Sequence, residues 1–236
     1  MNKLTEYLEQ FALRSLEKQE KLALLLGDYA YDLDLDAGKI RFNDSLEISF
    51  QVLGTESDNT LIWLWSWAEE QTEEIPAALH QASREIRDWG LRQDVQEFTL
   101  PSVDLHKADG HVLSIIACEL CNASCYFRDA YEGGSAYLLL FDKRIDAQPS
   151  FDLSRLSRGF LDLISRYEFN HRKTLLSYLR IKKLPLAETG PTISCELDSG
   201  ERLSAEFDDA GKLTQLNGAT ITSDIGKCDY SAWSDT

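Results

Sequence analysis

The sequence lacks what a membrane-spanning protein or a common enzyme would need. Its 236 residues hold no run of about 18 apolar residues, so no transmembrane helix is expected. Only four histidines occur, at 80, 106, 111 and 171, which leaves few acid–base or metal-binding arrangements. There is no nucleophile elbow, glycine-rich phosphate loop, HExxH pair or kinase signature. Basic residues are scarce: 24 Lys and Arg face 40 Asp and Glu, a formal charge of −16. A polyphosphate partner would be repelled, which excludes general nucleic-acid binding. The five cysteines are an odd number and three crowd at Cys118, Cys121 and Cys125, a poor disulfide framework. The N-terminal stretch has glutamates inside its apolar part and no small-residue cleavage site, so it reads as an amphipathic helix and not a signal peptide. Reduced thiols and a cytoplasmic location are the expectation.

What is present is a chain able to bury a core, with 43% hydrophobic and 27% charged residues. Leu4, Leu8 and Phe11, then Leu22, Leu25 and Leu26, recur at helical spacing over 3–26, with Gly27 as the stop. The period then becomes two. Tyr29, Tyr31, Leu33 and Leu35 alternate with Asp28, Asp32, Asp34 and Asp36, predicting a half-buried strand with an acidic outer face. Strands at "KIRFN", "LEISFQVLGTE" and "TLIWLWSWA" complete an antiparallel meander. A helix follows from Pro76, with Gly90 as its C-terminal cap. "VQEFTL" reads as a short extended segment, and "DGHVLSIIACELCNASCYFRD" as one helix capped by Asp109. "SAYLLLFD" is a buried strand, and 152–183 forms one or two helices ended by Pro185. From Thr189 strands and turns alternate, with Ser199-Gly200 and Ala210-Gly211 at the turns.

The expected fold is α+β, an antiparallel sheet with helices packed on it plus a small C-terminal β module. The expected boundaries are 1–184 for the α+β domain, 190–224 for the β module and 225–236 for a loose tail. Within the first domain, 152–183 carries eight Lys and Arg against three acids. Such a segment either meets an acidic partner or is neutralised within the chain, and the second is the more common case.

The stretch from "YDLDLDAGKIRF" through "QVLGTES" and "LIWLWSWAEE" to Ile75-Pro76 resembles an uncharacterised bacterial domain-of-unknown-function family. The shared features are Asp36, Gly38 and Phe42, Gln51 to Ser57, and Trp63, Trp65 and Trp67. The helix starting near Gly110-His111 is also similar to that family's second helix. The resemblance spans roughly residues 25–142 and implies a bacterial source. It brings no activity and no catalytic residues. Glu69-Glu70 stand where the family pattern has Asn.

Three groups of residues are candidates for function. Trp63, Trp65 and Trp67 share one face of their strand, as a central-strand core, as the wall of a ligand pocket or as an exposed partner surface. Asp32, Asp34 and Asp36 offer an acidic surface for a basic protein. Their spacing also opens a calcium loop, but the glycine comes one place late and Asn43 stands where a bidentate Glu belongs. Asp104, His106, Asp109 and His111 are metal-ligand types gathered before a helix, although Asp109 can equally be a helix cap. Cys118, Cys121 and Cys125 would share a helix face as core thiols.

The expectation is therefore a non-enzymatic protein binder, immunity or antitoxin-like, with a basic partner, no cofactor, and no nucleic-acid or membrane contact. Homo-oligomerisation stays open. A small-molecule module using the tryptophans and a metal-dependent enzyme are the alternatives.

Overall fold

Helix α1, Lys3–Leu26, buries far more than one stripe. Leu4, Leu8, Leu13 and Leu16 are inside, but so are Glu9, Glu17 and Glu20. Asn2 caps its start, accepting from the Leu4 amide at 3.1 Å, and Gly27, at φ +58°, ends it. The computed structural model describes residues 2–68, 75–197 and 200–218. The chain divides into two compact units, and α1 contributes to both. One unit is Lys18–Gln148; the other joins Met1–Glu17 to Pro149–Thr236, as far as these are described.

The first unit is an antiparallel seven-stranded sheet with helices, so the fold class is α+β as expected. Its strands are β1 Tyr31–Asp34, β2 Lys39–Phe42, β3 Leu46–Ser57, β4 Ile62–Trp65, β5 Ser102–Asp104, β6 Cys125–Tyr131 and β7 Gly134–Phe141. The long β3 organises it. One edge of β3 pairs with β7 from Ser49 to Ser57. The other edge takes β2 along Leu46–Ser49 and β4 along Gly54–Ser57. Between them no strand among the described residues continues the ladder, but two of its polar groups find other partners. The Phe50 amide donates to the Gly38 carbonyl, and Ser66 Oγ donates to the Val52 carbonyl at 2.6 Å. β3 itself is therefore the central strand, and the tryptophan strand β4 lies beside it with, among the described residues, the short β5 beyond.

Ile40 and Phe42 from β2, Ile48, Phe50 and Val52 from β3, and Leu138 and Leu140 from β7 form a core with Leu22 and Leu26 of α1. The sheet coils enough for β1 to meet β6 through side chains. Tyr31 and Phe127 lie 4.9 Å apart edge to face, and the Tyr31 hydroxyl donates to Asp129 at 2.6 Å.

The helices differ from expectation in three places. α2, Gln81–Gln93, runs through Gly90 and ends at Asp94, which takes φ +54°. Gly90 is there for close packing, because a Cβ would sit 2.6 Å from Phe98 Cβ. "VQEFTL" holds a helical turn, α3 Gln96–Thr99, where an extended segment was expected. The segment from Asp109 to Asp129 is not one helix. α4, Gly110–Leu120, stops at a turn through Asn122, at φ +51°, and Cys125 begins β6. Cys125, Tyr126 and Phe127 are all buried, and a short run buried on both faces has no period that separates strand from helix. α5, Lys143–Asp146, follows β7 with Asp142 as its cap. Among the described residues, no helix is long and apolar enough to cross a membrane.

The second unit holds α6 Leu153–Arg166, α7 His171–Ile181, and a sheet ordered β11-β10-β9-β8. Those strands are β8 Leu186–Thr189, β9 Thr192–Glu196, β10 Arg202–Phe207 and β11 Leu213–Asn217. Asp152 and Asn170 cap the two helices. The basic segment groups with the C-terminal strands and the first half of α1. Apolar faces explain this. Leu156, Phe160 and Leu163 of α6 and Leu175 and Leu179 of α7 are buried, as are Ile193, Leu203 and Phe207 of the small sheet. Residues 69–74, 198–199 and 219–236 lie outside the description, and with them Glu69-Glu70, the turn residue Ser199 and the expected tail.

Candidate functional site

The three tryptophans do not share one environment. Trp63 and Trp65 have no exposed surface, while Trp67 has left the strand for a single 3-10 turn, Ser66–Ala68. Trp65 donates its indole N–H to the Glu97 carbonyl at 2.8 Å and packs edge to face on Phe98. Trp63 lies over Gly54, where a Cβ would come within 2.5 Å of its ring, and contacts Tyr137 at 5.3 Å. The Arg87 guanidinium covers the Trp67 ring at 5.1 Å. Trp63 and Trp65 are thus core residues. The opposite face of β4 is only half covered, since Ile62 is 41% exposed.

The metal-ligand types of the 104–111 segment do not converge. Asp104 accepts the His106 amide at 2.9 Å, and Asp109 caps α4 through the Val112 amide at 2.8 Å. His106 has no side-chain role in these contacts, and His111 Nδ1 lies 3.1 Å from the Tyr126 hydroxyl. Among the described residues no three His, Cys, Asp or Glu side chains are gathered to hold a metal. Burial pushes the Asp109 carboxyl above its ordinary value, although two backbone amides pull it the other way.

The same region contains a polar cluster that the sequence reading missed. Glu56 of β3 receives the Tyr137 hydroxyl at 2.8 Å and the Gly110 amide, first in α4, at 3.2 Å. Arg128 Nε of β6 stands 3.5 Å away. Burial, with the Glu56 charge next, pushes the Tyr137 phenol far up, so it stays a donor. Both Glu56 oxygens are engaged by the chain itself, which makes the carboxylate a tie between β3, β6, β7 and α4 and not a base poised for a substrate. Its partners lie 54 to 81 positions away along the chain, so no local motif could have marked them.

The acidic strand is the most accessible of the candidates. Among the described residues β1 pairs with β2 alone, so one side of it is an open edge. Tyr29 is 41%, Tyr31 39% and Leu35 41% exposed, and Asp28, Asp32, Asp34 and Asp36 surround them on the surface. Asp32 faces Arg41 and Asp34 faces Lys39 across the ladder. Asp34 also accepts the Ala37 amide at 2.9 Å and shapes the turn. The surrounding unit, Lys18–Gln148, holds 24 Asp and Glu against 11 Lys and Arg, so it carries most of the negative charge.

Two other features are accounted for internally. Cys118 lies on α4, Cys121 at its end and Cys125 on β6, so they do not share a helix face. Burial pushes the Cys121 thiol up to about 12 and the Cys125 thiol well up, leaving both protonated and unreactive. Cys228 lies outside the described residues. Five of the eight cations of the basic segment form ion pairs within their own unit. Arg166 pairs with Asp162, Arg172 and Arg180 with Glu188, Lys173 with Glu9, and Lys182 with Glu17. A groove of about 410 Å³ beside Glu6, Glu9, Lys173 and Arg180 is lined by both signs of charge.

A family model described as "Family of unknown function (DUF6882)" matches residues 5–143, more than half of the chain, and the chain belongs to that family. No curated protein matches it, and no solved structure does.

Proposed function

We propose that this member of the family is a non-catalytic binder of a basic protein, of the immunity or antitoxin kind, acting in a bacterial cytoplasm. The observation that carries the reading is the open edge at β1. There, half-exposed tyrosines stand among four aspartates on the more acidic of the two units. Tyrosine supplies contact area at little entropic cost, and a single-sign field speeds encounter with an opposite charge. The engaged carboxylate of Glu56 and the dispersed Asp104–His111 segment favour binding over catalysis as the role of this unit.

The test is capture of soluble protein from the source cells by the immobilised chain. The chain is compared with an Asp32→Lys/Asp34→Lys/Asp36→Lys variant and with a control reversed at the exposed Asp88, Glu132 and Glu206. A basic partner held by the first and third, released by salt and lost from the second, is the expected result. Equal retention by the β1 variant removes the reading.

A further inference from the structure

We infer that β1 binds its partner by strand addition: an extended segment with Lys or Arg at alternate positions pairs antiparallel with residues Tyr31 to Asp34. This rests on the docking reading above and specifies the element the partner must present.

The main-chain groups of β1 alternate between its paired and its open side. Ala30 directs its carbonyl to the Asn43 amide at 3.0 Å, on the β2 side, and its amide to Asn43 Oδ1. Gly38 in turn directs its carbonyl to the Phe50 amide on β3, which fixes the alternation in β2 independently. Strand alternation then turns the amides and carbonyls of Asp32 and Asp34 toward β2 and those of Tyr31 and Leu33 toward the open edge. An added strand exchanges hydrogen bonds with Tyr31 and Leu33. The residues opposite these two meet the aromatic side, where Tyr29 and Tyr31 pack against Phe127. The residues between them fall beside Asp32 and Asp34, on the outer face.

Charge selects the occupant. The outer face already runs as an alternating ladder, with Asp32 opposite Arg41 and Arg41 opposite Glu47, 3.5 Å away as an ion pair. A further strand on the free side of Asp32 and Asp34 continues the alternation when it brings cations. A second copy of this chain, paired β1 to β1, would set aspartates against aspartates, and like charges directly opposite are destabilising. The same carboxylates that invite a basic strand thus keep the edge from pairing with itself.

The probe is the blocked hexapeptide (Lys-Val)3, labelled and followed by fluorescence anisotropy against the full chain. Two further peptides carry N-methyl groups on the valines only or on the lysines only. The parent is expected to bind in a salt-sensitive way. Methylated valines, which would face Tyr31 and Leu33, should weaken it by at least about tenfold, and methylated lysines should leave it unchanged. Asp32→Lys/Asp34→Lys should weaken the parent by a similar factor. Failure of the parent to bind, indifference to the aspartate reversal, equal behaviour of the two methylated peptides, or loss confined to the methyl-lysine form overturns strand addition. If the partner captured from cells still depends on the aspartates after such a result, charge docking stands and strand pairing alone falls. If that capture ignores the aspartates, the docking reading falls with it.

Discussion

Glu17 offers the sharpest test of how the second unit is held. It is 3% exposed on α1. Its carboxylate accepts the Tyr178 hydroxyl in a short bond and the Lys182 ammonium at 2.8 Å, while Lys182 also donates to Ser150. Burial pushes the carboxyl up, but the Lys182 and Tyr178 hydrogen bonds and the Lys182 charge outweigh this and hold it below its ordinary value. Glu17→Ala strands an ammonium and a phenol around the gap. Breaking a buried pair costs about 3–5 kcal/mol, and the lower end applies because Lys182 remains 24% exposed. About 3 kcal/mol corresponds to roughly 150-fold faster hydrogen exchange of α7 amides, and that exchange is the assay. Glu17→Met/Lys182→Met removes both charges and should recover most of the loss. The pH dependence has a definite sign. A carboxyl lowered in the folded state contributes its full stability above the unfolded glutamate value, about 4.3, and loses it as pH falls through the folded value. The double variant should lack that acid-labile increment. Exchange in Glu17→Ala within twofold of the parent, or a double variant as weak as the single, refutes the reasoning.

Gly54→Ala should destabilise the first unit by about 1–3 kcal/mol in urea unfolding followed by tryptophan fluorescence, since the new methyl would lie 2.5 Å from both Trp63 and the Leu64 carbonyl. Tyr137→Phe removes one of the donors to Glu56 and should cost about 1.5 kcal/mol in the same assay, with Arg128 and Gly110 limiting the loss. His171 accepts the Leu213 amide on Nδ1 at 3.0 Å, and burial followed by the Lys212 charge lowers its pKa. The unfolded state therefore takes up the proton first. Protection of the Leu213 amide should be complete above about pH 6.5 and fall as pH drops below it, and a flat profile would count against the bond.

The sequence-level reading succeeded where period and punctuation agree. The switch from helical spacing at Leu22–Leu26 to alternation at Tyr31–Leu35 marks the start of the sheet, and Asp109 caps α4 as its position before the apolar run required. It failed where a tertiary contact uses a residue that also has a local meaning. Gly90 looks like a helix stop but makes room for Phe98. The end of α4 carries no Gly or Pro, only Asn122 in a left-handed conformation, so β6 was absorbed into the helix. The pairing of Lys173 with Glu9 and of Lys182 with Glu17 was unreadable because α1 and α7 are far apart in the sequence, 165 positions for the second pair.

The cations beside β1 decide how strong its edge can be. Asp32 is flanked on its inner side by Arg41, itself half exposed and shared with Glu47 at 3.5 Å. A cation arriving on the open side therefore competes with one already present, and the aspartate gives each only part of its field. Arg41→Gln removes the resident competitor without touching the main-chain ladder of β1. It also leaves Glu47 with Lys39 as its nearby cation, at 3.8 Å, so the outer face becomes more acidic as a whole. A cross-strand ion pair on a sheet surface is worth roughly 0.2–1 kcal/mol, so affinity for (Lys-Val)3 should rise up to about fivefold in Arg41→Gln at low salt. The gain should vanish at high ionic strength, where exposed charges a few ångströms beyond contact are screened. An unchanged or lower affinity would mean that the peptide's lysines do not sit beside Asp32, and the register drawn from Ala30 and Gly38 would have to be given up.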